Sequence, residues 1–124
     1  MKYISTKDIV QRYYKSLEEK SDDWKDIYSD DVVFSDASQA LLAKGKEEVV
    51  KALILFLNGV AGVKIKELIV EDDRSCAIIS YDYVNSKKER MNQNVAEILE
   101  VKNGKLAKQT IYFDLTAYGN FMSS

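Results

Sequence analysis

Apolar residues follow two different periods along this chain, and the change between them separates a mainly helical first part from a stranded remainder. Ile9, Val10, Tyr13 and Leu17 recur at helical spacing, with Lys7, Gln11, Arg12 and Lys15 largely on the outer face. That pattern predicts an amphipathic helix from Ser5 to Lys20. Ser5 and Asp8 have the spacing of a capping box, with Asp in place of the usual Glu or Gln. Ser21-Asp22-Asp23 predicts the start of a second, shorter helix that turns Trp24, Ile27 and Tyr28 inward and breaks at Asp30-Asp31. Val32-Val33-Phe34 reads as a short strand ending in Ser35-Asp36, and Ala37 to Lys44, without a clear period, as a loop. A third helix starts at Gly45 and runs to Leu57, with Glu47 and Glu48 where the helix dipole favours acids. Its last turns are apolar nearly all round, which predicts deep burial or a partner.

Asn58-Gly59 ends that helix and alternation takes over. Val63 and Ile65 alternate with Lys64 and Lys66, and Leu68-Ile69-Val70 then changes the phase, which suggests a bulge. After a turn at Glu71-Asp72-Asp73-Arg74, Ala77, Ile79, Tyr81 and Tyr83 share one strand face, with Cys76, Ile78, Ser80 and Asp82 on the other. Asn85-Ser86-Lys87-Lys88 leads into a long hairpin, Arg90 to Tyr118, with Asn103-Gly104 at its tip. Gly119-Asn120 is expected to end its second strand, and Phe121-Met122 to pack back. A two-residue loop would set Leu99 beside Lys108 and Val95 beside Tyr112. A three-residue loop pairs Leu99 with Ala107, Glu97 with Gln109, Val95 with Ile111, Gln93 with Phe113 and Met91 with Leu115. The second register gathers the apolar residues on one face and is the one expected, because a one-residue slip turns every side chain over. Helix, helix, short strand, helix and then a meander is an α+β order. It predicts three N-terminal helices packed on a strongly curved, mainly antiparallel sheet, a cone that encloses a pocket.

Composition narrows the classes. The 124 residues, 46% hydrophobic and 31% charged, suit one soluble globular domain over residues 1–124. A net charge of −2 argues against nucleic-acid or membrane-surface partners. No apolar run reaches the length of a membrane span, and Met1-Lys2-Tyr3-Ile4-Ser5 lacks a signal-peptide core. The single cysteine, Cys76, cannot form an intramolecular disulfide, so a reducing, cytoplasmic location is expected. Histidine is absent, which removes the commonest general base and the commonest metal ligand. Asp22-Asp23, Asp30-Asp31 and Asp72-Asp73 read as turn and cap acids, so neither metal nor cofactor is expected.

The expected inner face of the hairpin carries three polar residues, Gln93, Glu97 and Gln109. A carboxylate among apolar neighbours is costly unless hydrogen-bonded, solvated or protonated. Desolvation raises a carboxyl pKa, so Glu97 is expected to be protonated near neutral pH and able to donate to a ligand oxygen. Phe56, Phe113 and Trp24 are the aromatic candidates for lining such a pocket. On the outer face, Ile78, Ile98, Thr110 and Tyr112 form a patch expected to be covered in a homodimer.

Three stretches carry a family resemblance. Val10-Gln11-Arg12-Tyr13 resembles the first helix of bacterial ketosteroid isomerases. Asp26 to Asp36 resembles the helix-to-strand passage, and Glu97 to Leu106 the penultimate hairpin, of the nuclear-transport-factor-2-like superfamily, which also includes SnoaL-like polyketide cyclases. The isomerase resemblance implies Tyr13 as an oxyanion-hole tyrosine, Asp36 as general base and Glu97 at the protonated second acid, where those enzymes have Asp. In that enzyme class one carboxyl is ionised and takes the proton, while the other is kept neutral by an apolar site and donates. Tyr28 falls where an auxiliary tyrosine sits. Ile111-Tyr112-Phe113-Asp114 resembles the cyclases' terminal strand, whose aspartate is catalytic, although this chain lacks their histidine. The functions implied are proton transfer on a small, largely apolar carbonyl compound, or a non-catalytic module that binds a hydrophobic metabolite or dimerises.

Overall fold

The computed structural model describes residues 5–38 and 40–123. Helix α1 spans Thr6–Glu19, a 3₁₀ helix spans Asp23–Asp26, and strands β1 and β2 cover Tyr28–Asp36 and Leu41–Lys44. Helix α2 follows at Lys46–Leu57, then strands β3 at Val60–Glu71, β4 at Arg74–Val84, β5 at Arg90–Lys102 and β6 at Lys105–Tyr112, and finally helix α3 at Leu115–Met122. The six strands form one sheet in the order β2-β1-β6-β5-β4-β3. All neighbours are antiparallel except β1 and β6, which run parallel. The architecture is α+β, with helices on a mixed, mainly antiparallel sheet.

Ser5 caps α1 as expected, its hydroxyl accepting from the Asp8 amide at 3.1 Å. Ile9, Val10, Tyr13, Tyr14 and Leu17 are the buried hydrophobic residues of α1. They meet the inner sheet residues Ala77, Ile79, Tyr81, Tyr83, Val95, Leu99 and Leu106 in one core. The phase change in β3 is a bulge: pairing with β4 shifts between Ile65 and Glu67.

Several expectations change. The break at Asp30-Asp31 lies inside β1, and Leu41–Lys44 is a strand rather than a loop. Neither segment alternates cleanly; each is extended because a neighbouring strand supplies its ladder. The end of α2 is not deeply buried, since Leu55 is 74% exposed and only Val49 and Leu53 are buried along the helix. The stretch from Leu115, expected to continue the hairpin, is α3, with Asp114 as its cap accepting from the Ala117 amide at 2.9 Å. Gly119-Asn120 therefore lies within a helix.

The hairpin register follows neither simple loop. Asn103 and Gly104 both have positive φ, 53° and 76°, and Lys102 faces Lys105 across a two-residue turn. Pairing then slips: Val101 faces Leu106, but Glu100 faces Lys108, leaving Ala107 as an extra residue. Glu97 is consequently opposite Ile111, and Gln109 opposite Leu99. The expected Glu97–Gln109 and Leu99–Ala107 pairs are not formed. The bulge nevertheless restores the face: Glu97 and Gln109 point inward together, as diagonal neighbours.

Candidate functional site

Glu97 stands mid-way along β5, facing the helices with 2% of its surface exposed. Burial pushes its carboxyl up to about 7, against hydrogen bonds from Gln109 and Tyr14 that pull it down. No cation among the described residues contributes to that balance. Gln109 Nε2 donates to Glu97 Oε2 at 2.7 Å, and the Tyr14 hydroxyl donates to Oε1 at 2.9 Å. Behind Gln109 lies a closed ring. The Tyr28 hydroxyl donates to Gln109 Oε1 at 2.9 Å, and Gln109 Nε2 donates to the Tyr13 oxygen at 3.0 Å. The remaining Tyr13–Tyr28 contact, at 2.8 Å, must then run from the Tyr13 proton to the Tyr28 oxygen. Gln109 thus spends one N–H on the ring and one on Glu97. Burial raises the Tyr13, Tyr14 and Tyr28 hydroxyls well above the ordinary value, so all three remain protonated donors.

Glu97 and Gln109 also form part of the wall of a cavity of about 290 Å³, at the small end of ligand-site sizes. Phe34, Leu53, Phe56, Ile111 and Phe113 make most of the remaining wall, the buried Tyr81 and the half-buried Tyr118 add phenols, and Leu42 and Leu55 are exposed members of it. The Phe56 ring meets Tyr81 edge-on at 5.0 Å and Tyr118 at 5.8 Å, and Phe113 meets Tyr118 at 5.6 Å. The arrangement is an aromatic box around one protonatable group. Chemically it can hold a flat apolar body and share a proton with one ligand oxygen.

The candidates named from sequence separate into three groups. Glu97, Gln109, Phe56 and Phe113 line the cavity. Tyr13 and Tyr28 sit behind Gln109 and reach the cavity only through it. The others lie elsewhere. Asp36 ends β1 at a turn, where its Oδ1 accepts from the Ser38 hydroxyl at 2.6 Å and the Ser38 amide at 2.9 Å. Those bonds, the hydroxyl first, hold its carboxyl below the ordinary value. Trp24 lines a separate cavity of about 290 Å³ with Leu17, Ile54, Val60 and Val63. Gln93 accepts from the Tyr83 hydroxyl at 2.9 Å and donates to the Asp114 carbonyl at 3.0 Å, tying the start of α3 to β5. Asp114 is the exposed cap described above.

Several residues of the site have no role assigned from sequence, Tyr14 and Tyr81 among them. Tyr14 lies four residues after Val10 and three before Leu17, so the helical stripe itself could have placed it inward. Alternation puts Tyr81 on the correct strand face but does not say what its hydroxyl meets. Among the described residues no group of three or more His, Cys, Asp or Glu could hold a metal ion. No helix among them is long and apolar enough to cross a membrane.

Comparison with known proteins agrees with this geometry at the level of fold. The model of the SnoaL-like domain matches residues 10–109. A candidate SnoaL-like polyketide cyclase from Jannaschia sp. CCS1 superposes with a TM-score of 0.82 at 14% identity, over 100% of this chain and 96% of that one. An NTF2-like protein of unknown function from Burkholderia pseudomallei K96243 gives 0.80 at 11% identity, over 98% and 100%. A protein with a ketosteroid isomerase-like fold from Catenulispora acidiphila DSM 44928, solved with trimethylamine, gives 0.74 at 13% identity, over 93% and 92%. No curated protein matches the sequence. The family model spans most of the chain, so the chain belongs to the SnoaL-like domain family, and the solved structures show that its fold is the one shared by nuclear-transport-factor-2-like proteins.

Proposed function

We propose that this protein binds a small, largely apolar carbonyl compound in the aromatic cavity, with Glu97 sharing a proton with the ligand oxygen. The observation that carries this reading is a fully buried acid held near neutrality on the wall of an otherwise apolar cavity. Binding is favoured over the two-carboxylate proton transfer of the isomerases, because Asp36 is tied to Ser38 at a turn and is not part of the cavity wall. A second reading, proton transfer by Glu97 alone, is supported by its pKa of about 7, close to the optimum for a general acid–base group.

α-Tetralone, a bicyclic aromatic ketone that can only accept hydrogen bonds, is a suitable probe. Its binding should shift the methyl NMR signals of Leu53 and Ile111, which line this cavity, and leave those of Leu17, Val60 and Val63 in place. Absence of binding, or shifts confined to the second set, would overturn the assignment.

We also propose a homodimer through the outer sheet face, where Ile98 lies beside Cys76 and Ala96 between Ile78 and Tyr112, with the exposed Ile69 facing Cys76. Of the four residues expected there, Ile78, Ile98 and Tyr112 are half-buried and Thr110 is already buried. Light scattering at assay concentrations should give twice the chain mass, and a clean monomer would refute it.

A further inference from the structure

We propose that Tyr81 is the second group that reads the ligand oxygen, acting beside Glu97 in the place that the isomerase resemblance gives to Tyr13. This rests on the cavity reading above and adds to it a specificity-determining residue. Among the buried phenols, Tyr13, Tyr14, Tyr28 and Tyr83 each have a hydrogen-bond partner. Tyr81 is 1% exposed, yet its hydroxyl bonds to none of the described residues. Nor is that hydroxyl sealed among protein atoms; Ser75 Oγ is the one sealed, unpartnered side-chain atom among the described residues. Tyr81 instead lines the same cavity as Glu97. Buried polar atoms are paired with few exceptions, so an open one on a cavity wall marks where a ligand atom completes the pairing.

The ring is held in place. Phe56 packs edge-on against it at 5.0 Å, and Tyr83 stacks on it at 6.0 Å. The hydroxyl therefore has little freedom to turn to another acceptor. Tyr13 cannot take the same role without breaking the hydrogen-bonded ring, because its proton goes to Tyr28 and its oxygen accepts from Gln109. Both Glu97 oxygens accept from protein donors, and each keeps a second direction, so the carboxyl proton, when present, is available to a ligand oxygen in the cavity. Tyr81 feels the Glu97 charge but makes no hydrogen bond to it, and both line one cavity, so both can donate to a single ligand oxygen held there. Such a site selects an oxygen acceptor at the end of a flat apolar body: a ketone, an enone or the oxygen of a phenol.

The test compares α-tetralone with tetralin, the hydrocarbon of nearly the same shape, on wild type and Tyr81→Phe. Loss of one hydrogen bond should weaken α-tetralone binding by roughly three- to tenfold. Tetralin affinity should stay the same or improve, so the preference for the ketone falls by that ratio. Thermal stability should be unchanged or higher, because the hydroxyl removed has no partner among the described residues; a clear loss of stability would reveal a structural bond and overturn the assignment. The infrared carbonyl stretch of bound α-tetralone in the wild type should lie below its value in an apolar solvent and move back toward it in Tyr81→Phe. An unchanged preference and an unchanged stretch would overturn the role of Tyr81 while leaving the cavity reading intact. Failure of the wild type to bind either probe would overturn both.

Discussion

Replacing Glu97 by Gln tests the electrostatics of the site most directly. The carboxyl titrates at about 7 in the fold against an ordinary value of 4.5. Between those values the folded protein holds a proton that the unfolded chain has released, so stability falls as pH rises through the interval and is level above it. Each pH unit of that interval is worth about 1.4 kcal/mol, so the buried acid makes the fold roughly 3 kcal/mol less stable at neutral pH than in mild acid. Gln keeps the shape and does not titrate. It has one acceptor where Glu97 has two, so it can receive from Gln109 only if the Tyr14 hydroxyl turns round to accept from the new amide. That rearrangement costs about 1 kcal/mol. The variant should therefore be slightly less stable than wild type near pH 5 and at least as stable above pH 7, the two curves crossing between about those values. Urea unfolding of both proteins at several pH values measures the difference, in which the other acids largely cancel. The phenols facing Glu97 stay protonated throughout this range and do not contribute. A stability difference independent of pH, or an NMR titration that finds Glu97 ionised with an ordinary pKa, is incompatible with a desolvated acid at this position.

Three further outcomes follow from the same geometry. Gln109→Leu removes the N–H donor to Glu97 and opens the Tyr13–Tyr28 ring; it should cost about 2–4 kcal/mol in urea unfolding and raise the Glu97 pKa, because the bond it loses is one that lowers it. The affinity for α-tetralone should fall as pH rises through about 7, since an ionised Glu97 cannot donate to a ketone; calorimetry showing a level profile from about pH 5 to about pH 8 would contradict this. Asp36→Asn should change that affinity by less than about twofold, because Asp36 serves a turn through Ser38; a loss of about tenfold would place it in the site after all.

Elements with local signals are legible in the chain alone. The stripe of Ile9, Val10, Tyr13 and Leu17 and the Ser5 cap define α1, and alternation defines β4 and β5. The misfit of a carboxylate on the apolar face points to Glu97 before any contact is known, because burying a charge is costly wherever the fold places it. Long-range pairing and packing decide the rest. A bulge at Ala107 restores the facing of Glu97 and Gln109 through a different register, and a bulge depends on the neighbouring strand as much as on the turn. Val32-Val33-Phe34 reads as a strand and lies in β1, but β2 exists because β1 lends it a ladder, which no alternation in Leu41–Lys44 records. Asp114 reads as a strand residue in the sequence but caps α3, since a single Asp serves either context. The separation of Asp36 from Glu97 and the open hydroxyl of Tyr81 are likewise invisible in the chain. Which polar atoms find partners is settled only when distant segments meet, and here that packing satisfies Tyr13 and leaves Tyr81 facing the cavity.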